Sequence, residues 1–212
     1  NCTLNYNRVI SAHIEDYKAG IYNNQGSQYA VIDYNYVEVN GAADWNDLFG
    51  IVCHDCSINY DTVSVNDVYR GTDDDVHVRG IRADRSTITN CYIDTWHQWS
   101  VDWGGPAYGI QSYGSPSARS LIQDNVINAL EGGSGIHASY ADITNNSIAP
   151  SGTYSNGQYA IRAEDSCVII NNTITNMGSG IDVSSYEGNI LDSNFIQAND
   201  RGIYGENSNN LT

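Results

Sequence analysis

The sequence predicts an all-β fold, in which one chain winds as a solenoid of about eight coils of 20–30 residues each. Two recurring patterns predict it: a small residue followed by isoleucine, and two apolar residues that flank a polar bend. A chain with such a period buries apolar surface by stacking each repeat on the next. The first pattern occurs at Gly20-Ile21, Gly50-Ile51, Gly80-Ile81, Gly109-Ile110, Gly135-Ile136, Ala160-Ile161, Gly180-Ile181 and Gly202-Ile203.

The first pattern predicts a strand with one face directed inward. The isoleucine points in, the next residue points out, and the third residue points in again, because side chains alternate along a strand. The third residue is small in most copies: Asn23, Cys53, Ala83, Ser112, Ala138, Ala163, Val183 and Gly205.

The second pattern has the form Φ-x-x-N-x-Φ, where Φ is an apolar residue. Asn tolerates the backbone angles of a tight bend, and Asn side chains stacked in register can form a hydrogen-bonded ladder. The copies are Ile32-Asn35-Val37, Ile58-Asp61-Val63, Ile88-Cys91-Ile93, Ile122-Asn125-Ile127, Ile143-Asn146-Ile148, Ile169-Asn172-Ile174 and Leu191-Asn194-Ile196.

Together the two patterns resemble the repeat of the right-handed parallel β-helix in the pectate-lyase-like superfamily. The segments that carry the resemblance are GIHASYADITNNSIA, YAIRAEDSCVIINNTIT and GIDVSSYEGNILDSNFIQ, and it extends over essentially the whole chain. It implies right-handed coils. It also implies that any active site lies on an outer β-face, where the polysaccharide lyases and hydrolases of this superfamily have theirs.

The two ends of the chain look complementary in sequence. The last Gly-Ile pair, at Gly202, has no second pattern after it, whereas Leu211 to Leu4, read across the two ends, gives L-T-N-C-T-L. This reading puts Cys2 at the ladder position. We therefore expect residues 1–212 to form one domain that is a repeating unit of a longer fibre. The unit is either one part of a tandem array or a subunit that stacks head to tail with identical copies. The alternative is a coincidental similarity and a finite solenoid.

The charge of the chain excludes several classes of partner. The net charge is −16, with 25 acidic and 9 basic residues, and no apolar run approaches the length of a membrane span. Nucleic-acid binding is not expected, because phosphate contacts need clusters of Lys and Arg, and attraction to a membrane surface is disfavoured for the same reason. We expect an extracellular or cell-surface location.

Four N-x-S/T sequons are candidate glycosylation sites: Asn1, Asn145, Asn171 and Asn210. Three of them, at Asn1, Asn145 and Asn171, stand just before the expected ladder position and should point outward at one bend. The alternative is that these asparagines are ordinary turn residues of the repeat.

The five cysteines predict at most one local bridge. Cys53 and Cys56 are the disulfide candidates, and two packed thiols are the alternative. Cys2, Cys91 and Cys167 are expected to be buried thiols. The cluster Asp73, Asp74 and Asp75 is the candidate Ca²⁺ site, with a solvated acidic loop as the alternative. No other cofactor is expected.

Candidates for chemistry follow the outward residue after each isoleucine. If the protein is an enzyme, Arg82, His137, Arg162 and Asp182 of this row could supply the base, the acid and the orienting groups. The alternative is that the row is the solvated side of a sheet.

Trp96, Trp99 and Trp103 fall within one stretch of the chain and are the carbohydrate-binding candidates. They could instead make a lateral fibre contact or cover the solenoid.

Two functions remain after this reading. The first is a structural extracellular filament, N-glycosylated and stacked through its ends, which requires no catalytic residue. The alternative is a polysaccharide-binding or polysaccharide-degrading protein of the lyase or hydrolase type.

Overall fold

In a computed structural model, the chain is an all-β solenoid. The residues that the structure describes are 2–13, 18–23, 29–41, 47–67, 77–97, 107–129, 134–150, 159–183 and 188–205. Every regular element among these residues is a β-strand, and the strands follow one another in a repeating order of three per turn.

The strands form three rows along the axis of the solenoid. The first row contains β1 (Cys2–Asn5), β4 (Ala30–Asp33), β7 (Cys56–Asn59), β10 (Thr87–Thr89), β13 (Ser120–Gln123), β16 (Ala141–Thr144), β19 (Val168–Ile170) and β21 (Ile190–Asp192). The second row contains β2 (Arg8–His13), β5 (Tyr36–Gly41), β8 (Thr62–Asp67), β11 (Tyr92–His97), β14 (Val126–Ala129) and β17 (Ser147–Ala149). The third row contains β3 (Lys18–Tyr22), β6 (Leu48–His54), β9 (Val78–Asp84), β12 (Ala107–Tyr113), β15 (Ser134–Ser139) and β18 (Tyr159–Ala163).

Strands of successive turns pair in parallel, so each row is a continuous sheet. The first row is a sheet of eight strands, of which six, all but the first and the last, have a neighbour on each side. Two long strands, β20 (Thr173–Asp182) and β22 (Phe195–Tyr204), run through both the second and the third rows and join them into one sheet. The predicted single parallel β-helix is confirmed.

Isoleucines from every turn form the core. In the third row Ile81, Ile110 and Ile136 are mutually in register, and each is 0% exposed. The first row contributes the register Ile58, Ile88 and Ile122. This strict register arises because the apolar positions repeat in every turn, and only one pairing buries them all.

A glycine precedes the isoleucine in most turns because the second and third rows approach each other there. A Cβ atom added at Gly80 would collide with the Ile93 side chain and lie 2.7 Å from the carbonyl oxygen of Gly109. The first pattern is therefore a packing requirement rather than a turn signal.

The predicted ladder lies at the bend between the first and second rows. The backbone N–H and the side-chain amide of Asn146 both donate to Oδ1 of Asn172, at 2.9 and 3.0 Å. One residue before each ladder position the backbone adopts a left-handed φ of 52–58° in every turn. These bend residues are Tyr6, Tyr34, Tyr60, Asn90, Asp124, Asn145, Asn171 and Ser193.

The expected junction between the two ends was wrong in its register. Leu4 pairs with Ile32, so Leu4-Asn7-Val9 is the second pattern of the first turn, and Asn7 bonds to Asn35 as a ladder residue. Cys2 pairs with Ala30 and is exposed, so it is neither a ladder residue nor a buried thiol. Each described turn therefore contains one copy of each pattern.

The remaining cysteines lie inside the solenoid. Cys53 and Cys56 are joined by a disulfide where β6 leads into β7. Cys91 and Cys167 are buried free thiols.

Candidate functional site

The outward row predicted from the sequence is present on the third sheet. Strand pairing places Arg82 beside Gln111, Gln111 beside His137, His137 beside Arg162, and Arg162 beside Asp182. Parallel strands lie about 4.8 Å apart, so the row brings these side chains together along the axis. Their catalytic roles remain predictions.

Three residues of this row are shielded from solvent. Gln111 and His137 are each 6% exposed and Asp182 is 5% exposed, although all three point away from the core. By contrast, 45% of the Arg162 side chain is accessible. A buried polar group must find hydrogen-bond partners, so the contacts of these residues are informative.

A hydrogen-bonded series runs through His137. Its Nε2 atom lies 2.9 Å from Oε1 of Glu164, and its Nδ1 atom lies 3.4 Å from the hydroxyl oxygen of Tyr113. Gln111 donates to the same hydroxyl oxygen at 3.0 Å. A carboxylate only accepts, so we assign the imidazole proton to Nε2, which leaves Nδ1 to accept from the Tyr113 hydroxyl. We call Arg82, Gln111, Tyr113, His137, Arg162 and Glu164 the outer-face site.

Aromatic rings hold the imidazole in place. The Tyr108 ring stacks on His137 with centroids 5.3 Å apart, and the Tyr113 ring meets it edge-on at 5.5 Å. The guanidinium of Arg79 in turn lies 5.8 Å from the Tyr108 ring centroid and 5.0 Å from that of Phe49. These contacts limit rotation of His137 about its side-chain bonds.

An ion-pair cluster anchors Arg79 beside the site. Asp47 receives a hydrogen bond of 2.5 Å from Arg79, and its other oxygen lies 2.9 Å from Nδ1 of His77. Burial works against ionisation of Asp47, but the hydrogen bond with His77 and the charge of Arg79 outweigh it and lower the pKa of Asp47. Asp47 is thereby held as a carboxylate.

The electrostatics set up a proton acceptor beside a proton donor. Burial lowers the pKa of His137 below its ordinary 6.5, against the opposing hydrogen bond to Glu164. Burial raises the pKa of Tyr113, an effect that the nearby charge of Arg82 partly offsets. At neutral pH the site therefore holds a neutral imidazole, which can accept a proton, beside a protonated phenol, which can donate one.

Sequence reasoning missed Tyr113, Glu164 and Tyr108. Tyr113 follows Gln111 by two residues, and Glu164 follows Arg162 by two residues. The period of a strand puts such residues on the same outward face. Extending the alternation by one more outward position would have found both residues.

The other candidates lie elsewhere or outside the described residues. Trp96 is on β11, in the second row, and pairs in register with Asn66, whereas Trp99 and Trp103 lie outside the described residues. Asp73, Asp74 and Asp75 also lie outside them. Among the residues that are described, no group of three or more His, Cys, Asp or Glu side chains could hold a metal ion.

Two of the four sequons can be placed. Asn145 and Asn171 are exposed bend residues in successive turns, each with a φ of 57°. Asn1 and Asn210 lie outside the described residues. None of the described segments forms a helix of the length and apolarity needed to cross a membrane.

Comparison with known proteins bears on the family. A search of curated proteins gave no match. Among solved structures, the A-module of the mannuronan C-5 epimerase AlgE4 of Azotobacter vinelandii is similar, with a TM-score of 0.37 and 11% identity. That similarity extends over 89% of this chain and 66% of the epimerase module, so this chain spans slightly less than two thirds of the length of that module. The family model of the right-handed β-helix region matches residues 76–212. The chain therefore belongs to the right-handed β-helix family, as the resemblance of its repeats implied.

Proposed function

We propose that this protein binds an acidic polysaccharide along its outer-face site and cleaves it by proton transfer at Tyr113. The observation that carries the proposal is the series Glu164–His137–Tyr113, in which a carboxylate orients an imidazole toward a half-buried phenol. Catalytic hydroxyl groups are commonly activated in this way: a base accepts the hydroxyl proton, and a third group orients the base.

Arginines of the same row supply the affinity for an anionic sugar. Arg82 and Arg162 stand at the two ends of the stretch that contains Gln111 and His137. They are three strand spacings apart, or about 14 Å along the axis. A guanidinium binds a carboxylate with two parallel hydrogen bonds, so a uronate polymer along the row would be held on both sides of Tyr113.

The chemistry that fits is β-elimination. His137 accepts the Tyr113 proton at Nδ1, and the resulting phenolate takes the proton from the carbon next to the sugar carboxylate. The released electron pair forms a C=C bond as the glycosidic C–O bond breaks. The leaving oxygen receives the proton from Tyr113, and His137 returns its own proton to the phenolate, so both groups regain their starting states.

Product formation tests this proposal directly. The purified protein is incubated with a panel of uronate polymers, and the unsaturated product is followed by its ultraviolet absorbance. Tyr113→Phe should lower the rate about 10²–10⁴-fold, as expected for loss of a general acid–base group. Tyr92→Phe, which alters an exposed tyrosine of the second row, is the matched control and should retain full rate. Full activity of Tyr113→Phe, or no product from any uronate polymer, would refute the proposal.

An extracellular or cell-surface location is part of this proposal, because polysaccharides of this kind lie outside cells. Exposed Asn145 and Asn171 are then available to a glycosyltransferase. Intact mass and glycopeptide mapping of the protein from its source would test both statements.

A second candidate function is the stacking of identical copies into a filament. The specific observation is the direction of the ladder, in which N–H groups point toward the later turn and Oδ1 atoms point toward the earlier one. The last described turn exposes an apolar core position: Ile203 is 54% exposed, whereas Ile181, its partner in the preceding turn, is buried. A second copy placed head to tail would continue both the ladder and the apolar rows.

The test of stacking is the size of the particle in solution. Light scattering and electron microscopy should reveal filaments that grow with concentration, and Ile203→Arg should abolish them. Val126→Arg, at an outward residue of a middle turn that is 44% exposed, is the control and should leave them intact. A protein that stays monomeric at every concentration would exclude this function.

A further inference from the structure

One position of the interior ladder carries an acid instead of an amide. A typical ladder residue needs an oxygen that accepts on one side and an N–H that donates on the other. Asn146 meets both needs: its Oδ1 accepts from Asn125 at 3.0 Å, and its Nδ2 donates to the carbonyl oxygen of Ile122 at 3.0 Å. Asp61 occupies the same position in the third turn and is 1% exposed.

Only half of the Asp61 carboxyl group is matched to its surroundings. Its Oδ1 accepts from the backbone N–H of Asn35 at 2.5 Å and from the Asn35 amide at 2.9 Å. Its Oδ2 is buried and has no hydrogen-bond donor. In Asn35 the corresponding atom is Nδ2, which donates to the carbonyl oxygen of Leu4 at 2.9 Å.

The strand register identifies what Oδ2 of Asp61 faces. Leu4 pairs with Ile32, and Ile32 pairs with Ile58. Asn35 donates to the carbonyl of Leu4, one turn earlier. The equivalent carbonyl for Asp61, one turn earlier in the same register, is that of Ile32. Two acceptor oxygens in a dry interior repel each other unless a proton lies between them, and an unpaired buried charge is costly.

We infer that Asp61 is a neutral carboxylic acid in the folded protein, that its Oδ2–H replaces the amide donor of the ladder, and that this residue makes the solenoid less stable as the solution becomes less acidic. The inference concerns the interior of the first three turns and does not depend on the outer-face site.

Among the described residues, the groups that shift the pKa of Asp61 include no positive charge. Burial raises its pKa to about 7, the hydrogen bonds from Asn35 oppose that change, and the neighbouring charge of Asp33 adds to it. Cys91, the ladder residue of the next turn, has a pKa of about 12 because of burial, so its thiol stays neutral. Burial also raises the pKa of Asp33.

The ladder is also interrupted beside Asp61. Cys91 has no amide, and its sulfur donates to the carbonyl oxygen of Thr89 rather than to a neighbouring rung. Side-chain amides resume at Asn125, whose Oδ1 accepts from the backbone N–H of Cys91. The first three turns therefore connect to the rest through an acid rung and a thiol rung, without an amide at either.

The direction of the pH effect follows from linkage. In the unfolded chain Asp61 titrates near its ordinary 3.8, whereas in the folded protein it holds its proton up to about 7. Between these two values the folded state binds one more proton at Asp61 than the unfolded state does. The contribution of Asp61 to the free energy of unfolding therefore falls as the pH rises through this window and is constant above it.

The test compares thermal unfolding of the wild type and Asp61→Asn between about pH 4 and about pH 8. The amide restores the missing donor, so Asp61→Asn should raise the melting temperature by about 5–10 °C at about pH 8 and remove most of the decline across the window. Asp124→Asn makes the same change at an exposed bend residue of a later turn and should change neither quantity. Equal pH slopes for the wild type and Asp61→Asn would overturn the inference.

Infrared spectroscopy of the wild type provides an independent readout that does not rely on a variant folding. At about pH 6 the folded protein should show one buried carboxylic acid C=O band that carboxylates lack. The absence of that band would refute the neutral state of Asp61 whatever the variants do.

Discussion

The inward and outward side chains of the third row share one register but follow different rules. Inward, Ile110 lies between Ile81 and Ile136, and every turn repeats the same residue type. Outward, Gln111 lies between Arg82 and His137, and the residue type changes from turn to turn. The inward residue is constrained by identical neighbours above and below, whereas the outward residue is free to differ. The features that distinguish this protein from a plain solenoid should therefore lie in the row that does not repeat.

The largest difference between the rows should appear when each side chain is truncated. Ile110→Ala removes fully buried apolar atoms and should lower the free energy of unfolding by about 2–5 kcal/mol. Gln111→Ala, one residue away, loses a hydrogen bond to Tyr113 and should cost about 1 kcal/mol. Chemical denaturation of both variants measures this contrast, and equal losses would contradict it.

A smaller effect is expected where a glycine allows the second and third rows to approach. Gly80→Ala should lower the free energy of unfolding by about 1–3 kcal/mol, because the added methyl group overlaps Ile93. Gly202→Ala, at the equivalent position of the last described turn, meets no atom within 4 Å. It should change stability by no more than about 0.5 kcal/mol. A similar loss in both variants would show that backbone freedom, not packing, explains the repeated glycine.

The outward row should show its own pH dependence. Protonated His137 cannot accept the Tyr113 proton, so the rate of the proposed elimination should fall on the acid side, at a pH below the ordinary histidine value of 6.5. Tyr108→Ala removes a ring that buries the imidazole and should move this fall toward 6.5. The pH–rate profile, or an NMR titration of His137, measures the shift. An unchanged profile in Tyr108→Ala would mean that burial does not control the His137 proton.

The smallest effect is expected for an ion pair on the first sheet. Arg119 pairs with Asp142 at 2.6 Å, and about a third of its side chain is exposed. Arg119→Ala should lower the free energy of unfolding by about 0.2–1 kcal/mol, and added salt should reduce the difference. A loss above about 2 kcal/mol would indicate that its hydrogen bond to the carbonyl oxygen of Ser166 matters more than the ion pair.

The interior was predictable from the sequence because its rules are local and repeated. Isoleucine at a fixed place in each pattern predicts the core, and Asn at the bend predicts the ladder. The first turn was misassigned because a half-pattern built on Cys2 looks like the one built on Cys91, and only strand pairing distinguishes the register. Leu4-Asn7-Val9 was present in the sequence and fits the pattern better.

The outer-face site was only partly predictable. Arg82, His137 and Arg162 could be placed in one row by spacing alone. The same spacing puts Tyr113 and Glu164 on that outward face, but it does not predict their contacts. A contact such as that of His137 with Glu164 joins residues in different turns, whose separation depends on loops of unequal length. Burial of an outward face also leaves no periodic signal in the sequence.

The bend residues have a consequence for how such chains change over evolution. Each described turn has its own left-handed bend residue, and its buried apolar side chains stack on those of the turn before and the turn after. Gain or loss of one entire turn leaves every remaining neighbour matched, whereas insertion of a single residue within a strand would reverse its inward and outward faces. Relatives of this protein should therefore differ in length by whole turns, and the turn, rather than the residue, is the unit in which the molecule can grow.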